Sequence, residues 1–223
     1  MTDTPARHRL PPEIANLADH ELLARQQLDD NAWAYFSGGA GDEITLRANR
    51  SAWDTLPLWP RVLRPLAGGH TRVPLLSRTL AHPILVAPMA YQSLAHPQGE
   101  HATALAAAAL GAGLVVSTQA STRLEDVART YLPDADRGPL WFQLYLQPDR
   151  GFTRELVQRA ASAGYEALVL TVDAPVQGVR DRERRAGFHT PAGVTAVNLI
   201  GMNAPAAAPL QPGQSALFDG LLT

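Results

Sequence analysis

The stretch WFQLYLQPDRGFTRELVQRAASAGYEALVLTVD, residues 141–173, decides the fold of this 223-residue chain. It begins with an apolar run of strand length, Trp141–Tyr145, and ends with a second one, Leu168–Val172. Between the two runs, residues 152–163 place apolar side chains at helical spacing. Short, uninterrupted apolar strands that alternate with helices are typical of buried parallel strands joined by crossover connections.

The same pattern extends towards the N-terminus. Apolar runs occur at Ile84–Ala87 and Leu114–Ser117, and helical patterns occupy about 98–110 and 122–129. The four runs begin roughly 27 to 30 residues apart, and the repeat stops after Asp173. No G-x-G-x-x-G follows any of these strands, as a dinucleotide-binding open sheet would require. The spacing therefore favours an α/β fold made of the first four βα units of a TIM (β/α)8 barrel, the fourth without a clear helix.

A helical segment and a proline-rich connector precede these units. Apolar residues from Asn16 to Phe36 predict two short helices that end at the Gly38-Gly39 pair, which suits a left-handed cap. The density of prolines in residues 54–66 predicts an extended connector. The glycines of residues 38–41 follow a helix rather than a strand, so they do not predict a phosphate-binding turn.

Composition excludes several classes of function. With 46% hydrophobic residues, 18% charged residues and a net charge of −2, the chain lacks the charge pattern of a nucleic-acid or membrane-surface protein. It has no cysteine for disulfides, thiolate chemistry or Cys-ligated metals, and its nineteen basic residues are all arginine. The histidines lack metal-ligand spacing, so we expect no metal. Because no apolar run suits a membrane span or a signal peptide, we expect a cytoplasmic protein.

Polar residues collect where the predicted strands end. They are Tyr91 and Gln92 after the first strand, Ser117 and Gln119 at the second, Gln143 and Tyr145 at the third, and Thr171 and Asp173 at the fourth. Single polar residues often mark strand exits and mean little. In parallel α/β folds, however, the carboxyl ends of the strands carry the functional site. Polar residues at four successive strand ends therefore favour a shared site there.

Five motifs occur in order along the chain. They are AYFSGGAGDE at Ala34–Glu43, APMAYQ at Ala87–Gln92, HPQGE at His96–Glu100, WFQLY at Trp141–Tyr145, and TVDAP at Thr171–Pro175, which Gly178 and Arg180 follow. Together they resemble the N-terminal half of the FMN-dependent α-hydroxy-acid oxidases and dehydrogenases. That family includes glycolate oxidase, lactate oxidase, mandelate dehydrogenase and the flavin part of flavocytochrome b2. The resemblance covers most of the chain and implies an FMN cofactor.

The resemblance implies two groups of cofactor-binding residues. Pro88, Met89 and Ala90 form the loop that faces the flavin N5, where the backbone N–H of Ala90 is the binding group. Ser117, Gln143 and Thr171 resemble the side chains that hydrogen-bond the polar edge of the isoalloxazine ring. Hydroxyl and amide groups suit that edge because they can both donate and accept hydrogen bonds.

The resemblance also implies three residues that contact the substrate, a small 2-hydroxy acid. Tyr35 and Arg180 bind its carboxylate, for which a bidentate guanidinium is well shaped. Tyr145 contacts the substrate oxygen. Simpler interpretations remain open for two of them: Tyr35 as a packed aromatic residue, and Arg180 as part of a solvated basic face. Gln119 departs from relatives that carry an aromatic residue at this position.

His96 and Asp173 are interpreted as structural. The implied reaction oxidises an L-2-hydroxy acid, such as lactate or a mandelate, to the 2-keto acid, and Ala90 in place of glycine leans towards an oxidase. The residues lying C-terminal to this region in the family supply the histidine base, a lysine near flavin N1 and the phosphate site. We therefore expect the chain to need a C-terminal barrel half as partner and to form a homo-oligomer when complete.

The resemblance divides the chain into three regions. Residues 1–66 form the helical segment and connector, 67–188 the first half of the FMN-binding barrel, and 189–223 the start of a mobile lid loop. The alternative hypothesis is an inactive, truncated half-barrel that serves only as a structural or interaction module. Another FMN barrel, such as type 2 isopentenyl diphosphate isomerase, is disfavoured because Tyr35 and Arg180 suit a carboxylate substrate.

Overall fold

A computed structural model of the protein describes residues 12–173 and 178–202. The chain divides into two compact units. The first unit comprises the described part of Met1–Arg50 together with Arg180–His189, and the second comprises the described part of Ser51–Val179 and Thr190–Thr223. The predicted boundaries at 66 and 188 stay a prediction, and residues 203–223 of the predicted lid lie outside the described residues.

Helices and strands alternate along most of the described chain. The helices are α1 (Leu17–Gln27), α2 (Asp30–Ser37), α3 (Ile44–Ser51), α4 (Gly99–Ala109), α5 (Leu124–Tyr131), α6 (Arg150–Ser162) and α7 (Asp181–Ala186). The strands are β1 (Val73–Leu75), β2 (Arg78–Leu80), β3 (Leu85–Val86), β4 (Gly113–Val116), β5 (Leu140–Leu144) and β6 (Ala167–Leu170). Short 3-10 helices occupy Ala52–Thr55, Gln92–Leu94 and Val197–Leu199. Among the residues described, no helix is both long and apolar enough to cross a membrane.

The second unit is built on a parallel sheet. Strands β3, β4, β5 and β6 pair in that order, so each strand lies beside the next one along the chain. Helices α4, α5 and α6 connect them in sequence. This is the order of the first four units of a TIM barrel, and it confirms the predicted fold class. Within the described residues the sheet remains open.

The hydrophobic core lies between these helices and one face of the sheet. Alternate side chains of β5, namely Leu140, Phe142 and Leu144, are buried in it. The helices contribute the other part of the core, including Leu124, Val127 and Leu156, which are fully buried. Since successive side chains of a strand point to opposite faces, Trp141 and Gln143 face the other side of the sheet.

Two buried tyrosines hydrogen-bond the backbone just before β4 and at the start of α5. The Tyr131 hydroxyl donates to the Ala112 carbonyl at 2.6 Å, and the Tyr165 hydroxyl donates to the Leu124 carbonyl at 2.8 Å. Burial raises the pKa of the Tyr131 phenol to about 12. Both hydroxyls thus have the hydrogen-bond partners that burial requires.

Strand β6 forms one edge of the sheet. Its Leu168 and Leu170 side chains are 45% and 50% exposed, whereas β4 is buried throughout. Leu168 and Leu170 share the face of their register partners Phe142 and Leu144, while the backbone edge of β6 can pair with a further strand.

A hairpin of β1 and β2 precedes the sheet, and the sequence did not predict it. Its two-residue turn, Leu76-Ser77, has φ values of 42° and 63°. Such turns ordinarily carry Asn or Gly, which tolerate positive φ, so the usual hairpin signal is missing. Glu166 binds the hairpin by accepting from Arg78 of β2 at 2.6 Å. It also accepts from Arg137, in the loop before β5, at 2.9 Å.

The first unit contains the two predicted short helices, α1 and α2. Asn16 and Asp29 cap them through side-chain oxygens that accept backbone N–H groups. The predicted left-handed cap at Gly38 is wrong, because Gly38 is extended, with φ −79° and ψ 149°. The left-handed glycine is Gly41, with φ 52°, in the turn before α3.

One polar side chain joins three elements of the second unit. Asn198 is fully buried, and its Oδ1 accepts the N–H of Leu124 at 2.9 Å, where α5 begins. Its Nδ2 donates to the Thr122 carbonyl at 3.3 Å, and Arg159 of α6 donates to its Oδ1 at 3.4 Å. Asn198 therefore caps α5 from a distant part of the sequence.

Replacing Asn198 should destabilise the protein. Asn198→Ala leaves the buried Leu124 N–H without its acceptor, so we expect a loss of about 1–3 kcal/mol in unfolding free energy. Urea denaturation measures this loss. The control is Asn49→Ala on the exposed side of α3, for which we expect a change within about 0.5 kcal/mol. Equal effects of the two changes would contradict the capping role.

The ion pair between α5 and α6 should give a measurable pH dependence. Arg159 donates to Glu125 at 2.8 Å, and this hydrogen bond lowers the pKa of the Glu125 carboxyl from 4.5 to about 2. The stabilisation by this ion pair is complete at pH values above the pKa of Glu125 in the unfolded chain. It is lost as the pH falls through the lower pKa that Glu125 has in the folded protein. The stability difference between wild type and Glu125→Gln should therefore shrink between about pH 5 and pH 2 in denaturation experiments. A difference that stays constant over this range would contradict the assignment.

Candidate active site

Three predicted site residues form a hydrogen-bonded row across the carboxyl ends of β4, β5 and β6. The Ser117 hydroxyl donates to Gln143 Oε1 at 3.2 Å, and Gln143 Nε2 donates to Thr171 Oγ1 at 2.9 Å. We call Ser117, Gln143 and Thr171 the strand-end row. The parallel register of the three strands brings together residues that are more than 25 positions apart in sequence.

Gln143 is the central member of this row and is only 2% exposed. Its Oε1 accepts from Ser117 and also from the backbone N–H of Thr118 at 3.1 Å. With its oxygen held on that side, the amide group must point its nitrogen towards Thr171. The amide orientation is therefore fixed by the protein itself.

Thr118 supports this arrangement, although the sequence did not single it out. Its side chain is fully buried between the ends of β4 and β5. The hydroxyl donates to the Gln143 carbonyl at 2.6 Å and accepts the Tyr145 N–H at 3.2 Å. Its only sequence signal was its place beside Ser117 at a strand end.

The loop after β3 carries the predicted flavin N5 group. Pro88 and Met89 are exposed and Ala90 is half-buried. Tyr91 follows in a left-handed conformation, with φ 54°, and its N–H donates to the Gln119 carbonyl at 3.2 Å. This bond joins the loop after β3 to the loop after β4.

Glu100 holds the same two loops together and was also missed as a support of the site. It is 3% exposed and accepts the Gln92 N–H at 3.3 Å and the Ser121 N–H at 2.8 Å. The Thr122 hydroxyl donates to its second oxygen at 2.7 Å. His96 accepts the N–H of Gln98 at 3.1 Å within the preceding turn, in line with a structural role.

Tyr145 lies two residues beyond Gln143 and is half-buried. The backbone carbonyl and N–H of Tyr145 are both hydrogen-bonded: Gln147 Nε2 donates to the Tyr145 carbonyl at 2.8 Å, and the Tyr145 N–H donates to the Thr118 hydroxyl. Burial raises the pKa of the Tyr145 phenol, and the Asp173 carboxylate adds to this effect. Like an ordinary tyrosine, the phenol is protonated at neutral pH and can donate a hydrogen bond.

The first unit brings Tyr35 and Arg180 together. Arg180 Nη2 donates to the Tyr35 carbonyl at 2.7 Å, and the guanidinium lies 5.9 Å from the centre of the tyrosine ring. The Tyr35 ring also stacks on Phe188, with the ring centres 4.9 Å apart. Arg180 also forms an ion pair with Glu183. These contacts fix both side chains, so Arg180 is not simply part of a solvated surface.

The neighbouring arginines behave differently from one another. Arg182 donates to Glu43 at 2.6 Å and to the Ser37 hydroxyl at 3.2 Å, which ties α7 to the turn before α3. Arg184 and Arg185 are 74% and 78% exposed. Only the latter two fit the solvated basic face considered from sequence.

Similarity to known proteins identifies the family. A family model described as "FMN-dependent dehydrogenase" matches residues 24–218. The chain belongs to this family. The FMN-dependent dehydrogenase family was the one recognised from the five sequence motifs, so that prediction is confirmed, and FMN is the cofactor of the family. Residues 174 and 175 of the fifth motif lie outside the described residues.

Individual relatives are oxidases of 2-hydroxy acids by name. An "L-lactate oxidase" of Roseobacter sp. (strain GAI101) is 47% identical over 206 residues, which is 92% of this chain and 54% of that protein. A "4-hydroxymandelate oxidase" of Amycolatopsis orientalis is 43% identical over 183 residues, 82% of this chain and 50% of that protein. A solved mandelate oxidase with (S)-2-phenylpropionate aligns with TM-score 0.78 at 42% identity, covering 83% of this chain and 54% of that chain. The chain spans about half the length of the curated relatives it matches.

The chemistry of the strand-end row fits the family's cofactor. Two hydroxyls and one amide offer both donors and acceptors, as the polar edge of a flavin ring requires. Ala90 has the smallest chiral side chain, which lets a planar ring approach the loop after β3. No group of three or more His, Cys, Asp or Glu side chains placed to hold a metal occurs within residues 12–173 and 178–202. The roles of the individual site residues stay predictions.

The Tyr145 environment can be tested by titration. Because the Asp173 carboxylate helps to raise the pKa of Tyr145, Asp173→Asn should lower that pKa towards the usual value of 10. NMR titration of the Tyr145 ring resonances measures the change, and Asp54→Asn on the exposed 3-10 helix should leave it unaltered. An unchanged pKa in Asp173→Asn would show that burial acts alone.

Proposed function

We propose that the protein oxidises an L-2-hydroxy acid to the 2-keto acid with FMN, and that this chain supplies the first half of the barrel that does so. The observation that carries the proposal is the strand-end row, in which three polar side chains are connected at the carboxyl ends of adjacent parallel strands. The names of the relatives, which include lactate, glycolate and mandelate oxidases, support the same reaction class.

In the proposed site the strand-end row binds the polar edge of the flavin ring. Gln143 is restrained from both sides and Thr171 is half-buried, so the row offers preformed partners rather than side chains that must reorganise. The backbone N–H of Ala90, with Pro88 and Met89 shaping its loop, binds at flavin N5. When bound, FMN supplies the two-electron acceptor for the α-hydrogen of the substrate.

Three residues bind the substrate in this proposal. The Arg180 guanidinium and the Tyr35 hydroxyl bind the carboxylate, since a planar cation beside a phenol matches a planar anion. The neutral Tyr145 phenol donates a hydrogen bond to the substrate oxygen. A tyrosine phenol is protonated at neutral pH and can donate this hydrogen bond.

The substrate class is a lactate- or mandelate-like L-2-hydroxy acid. The relatives named for L-lactate and for 4-hydroxymandelate are both more than 40% identical to this chain. They therefore support the substrate class, but they do not distinguish a substrate with a small side chain from one with an aromatic side chain. Gln119 contributes a half-buried polar side chain beside Ser117.

The proposed partner is the second half of the same barrel. The family resemblance places the histidine base and a lysine near the flavin in that half, and this sequence itself contains no lysine. Within the described residues β6 pairs only with β5, and such an edge strand supports pairing with a further strand. The homo-oligomer and the cytoplasmic location expected from sequence stay predictions.

Assembly with a complementary half tests the proposal. The chain would be co-expressed with the C-terminal half of the Roseobacter L-lactate oxidase relative, and the purified complex examined for bound flavin and for keto-acid production from L-lactate and (S)-mandelate. We expect a yellow complex that oxidises at least one of these acids. A stable but colourless complex without turnover would overturn the proposal and favour the alternative of a structural or interaction module.

The carboxylate role of Arg180 gives a second test. In the assembled enzyme, Arg180→Met should reduce kcat/KM for a 2-hydroxy acid by about 10- to 100-fold or more, as expected when a charge-assisted hydrogen bond is lost. Steady-state kinetics measure it. Arg184→Met, which changes an exposed arginine of α7, the helix that begins directly after Arg180, is the matched control and should leave the kinetics unchanged. Identical kinetics for the two variants would exclude Arg180 from substrate binding.

A further inference from the structure

We propose that Thr118 is a positioning residue that sets both Gln143 and Tyr145 for flavin and substrate. This inference rests on the proposed function, in which Gln143 binds the flavin edge and Tyr145 the substrate oxygen. Thr118 itself touches neither group in the proposal. It acts through hydrogen bonds to the backbone and side chain of the end of β5.

Thr118 is needed because β4 and β5 stop pairing at this point. The last backbone pair of the two strands is Val116 with Phe142, and the chain then turns, with the Ala120 N–H bonded to the Ser117 carbonyl at 3.1 Å. The backbone after β4 therefore moves away from β5. The Gln143 carbonyl and the Tyr145 N–H need other partners, since buried backbone groups are costly to leave unpaired.

A single hydroxyl provides both partners. Thr118 Oγ1 donates its hydrogen to the Gln143 carbonyl at 2.6 Å and accepts the Tyr145 N–H at 3.2 Å. Only a group that both donates and accepts can bridge a carbonyl and an N–H in this way. Because Thr118 is 0% exposed, water cannot easily replace the hydroxyl if it is removed.

The hydroxyl and the backbone N–H of Thr118 both hydrogen-bond Gln143. The Thr118 N–H donates to Gln143 Oε1 at 3.1 Å, while the hydroxyl binds the Gln143 carbonyl. Backbone and side chain of Gln143 are thus held by one residue. Loss of the hydroxyl would allow the end of β5 to shift, which would misplace the Gln143 amide and the Tyr145 phenol together.

Three variants separate this role from a general effect on stability. Thr118→Val removes the hydroxyl at nearly constant shape, and Thr118→Ser retains it. Thr130→Val is the matched control, because it removes a half-buried threonine hydroxyl that bonds the Asp126 carbonyl on α5, remote in sequence from Gln143 and Tyr145. Thr118→Ala removes the same hydroxyl without an added methyl group, and it replaces the valine variant if that one does not fold.

The first readout needs no cofactor. Amide hydrogen exchange of Tyr145, followed by NMR in the 223-residue chain, should become at least about tenfold faster in Thr118→Val, because the N–H loses its acceptor. The Gln143 side-chain amide resonances should move as well. Thr118→Ser should restore both to near wild type, and Thr130→Val should change neither.

The second readout is FMN affinity in the complex with the complementary half, measured by quenching of flavin fluorescence. We expect about tenfold weaker binding in Thr118→Val, recovery to within about threefold in Thr118→Ser, and no change in Thr130→Val. Unchanged Tyr145 exchange and unchanged affinity in Thr118→Val would overturn the positioning role, as would a serine variant as impaired as the valine variant. A wild-type complex that does not bind FMN would instead overturn the proposed function, and the exchange experiment would still decide what Thr118 does.

Discussion

Parallel pairing of β4, β5 and β6 is the constraint on which the candidate site depends. Each strand is hydrogen-bonded to the next, so their carboxyl ends lie side by side. The strand-end row exists only because of this register, and a shift of one residue would send Gln143 to the helix-covered face. Burial of Leu140 and Phe142 in the hydrophobic core on that face therefore sets the register that places the strand-end row on the opposite face of the sheet.

A buried polar group is tolerated at this point because its hydrogen bonds are made within the protein. Gln143 accepts two hydrogen bonds and donates one to Thr171, and the surrounding hydroxyls have partners of their own. Such networks are stabilising only when they are satisfied. Glu100 is likewise a buried polar group with hydrogen-bond partners, because it accepts backbone and hydroxyl donors from the loops after β3 and β4. It lies at the N-terminal end of α4, which is a favourable place for a carboxylate.

The sequence predicted the features that depend on periodicity and on motifs. The four parallel strands and the helices between them lie within a few residues of their predicted positions, and the five motifs led to the family. It did not predict the β1–β2 hairpin, whose Leu76-Ser77 turn has positive φ without the usual Asn or Gly. Nor could it find Thr118, because the role of its hydroxyl arises from where β4 leaves the sheet. The proximity of Tyr35 and Arg180, 145 positions apart, was expected only from the family resemblance, which assigned both to the substrate carboxylate.

Observing Gln143 while FMN binds tests whether the strand-end row holds the flavin edge. In the complex of the chain with a complementary barrel half, the Gln143 side-chain amide would be followed by NMR during titration with FMN. We expect its resonances to shift and its amide hydrogens to exchange more slowly with solvent, while those of Gln158, exposed on α6, stay unchanged. Flavin binding that leaves the Gln143 amide unaffected would contradict the assignment of the strand-end row to the flavin edge.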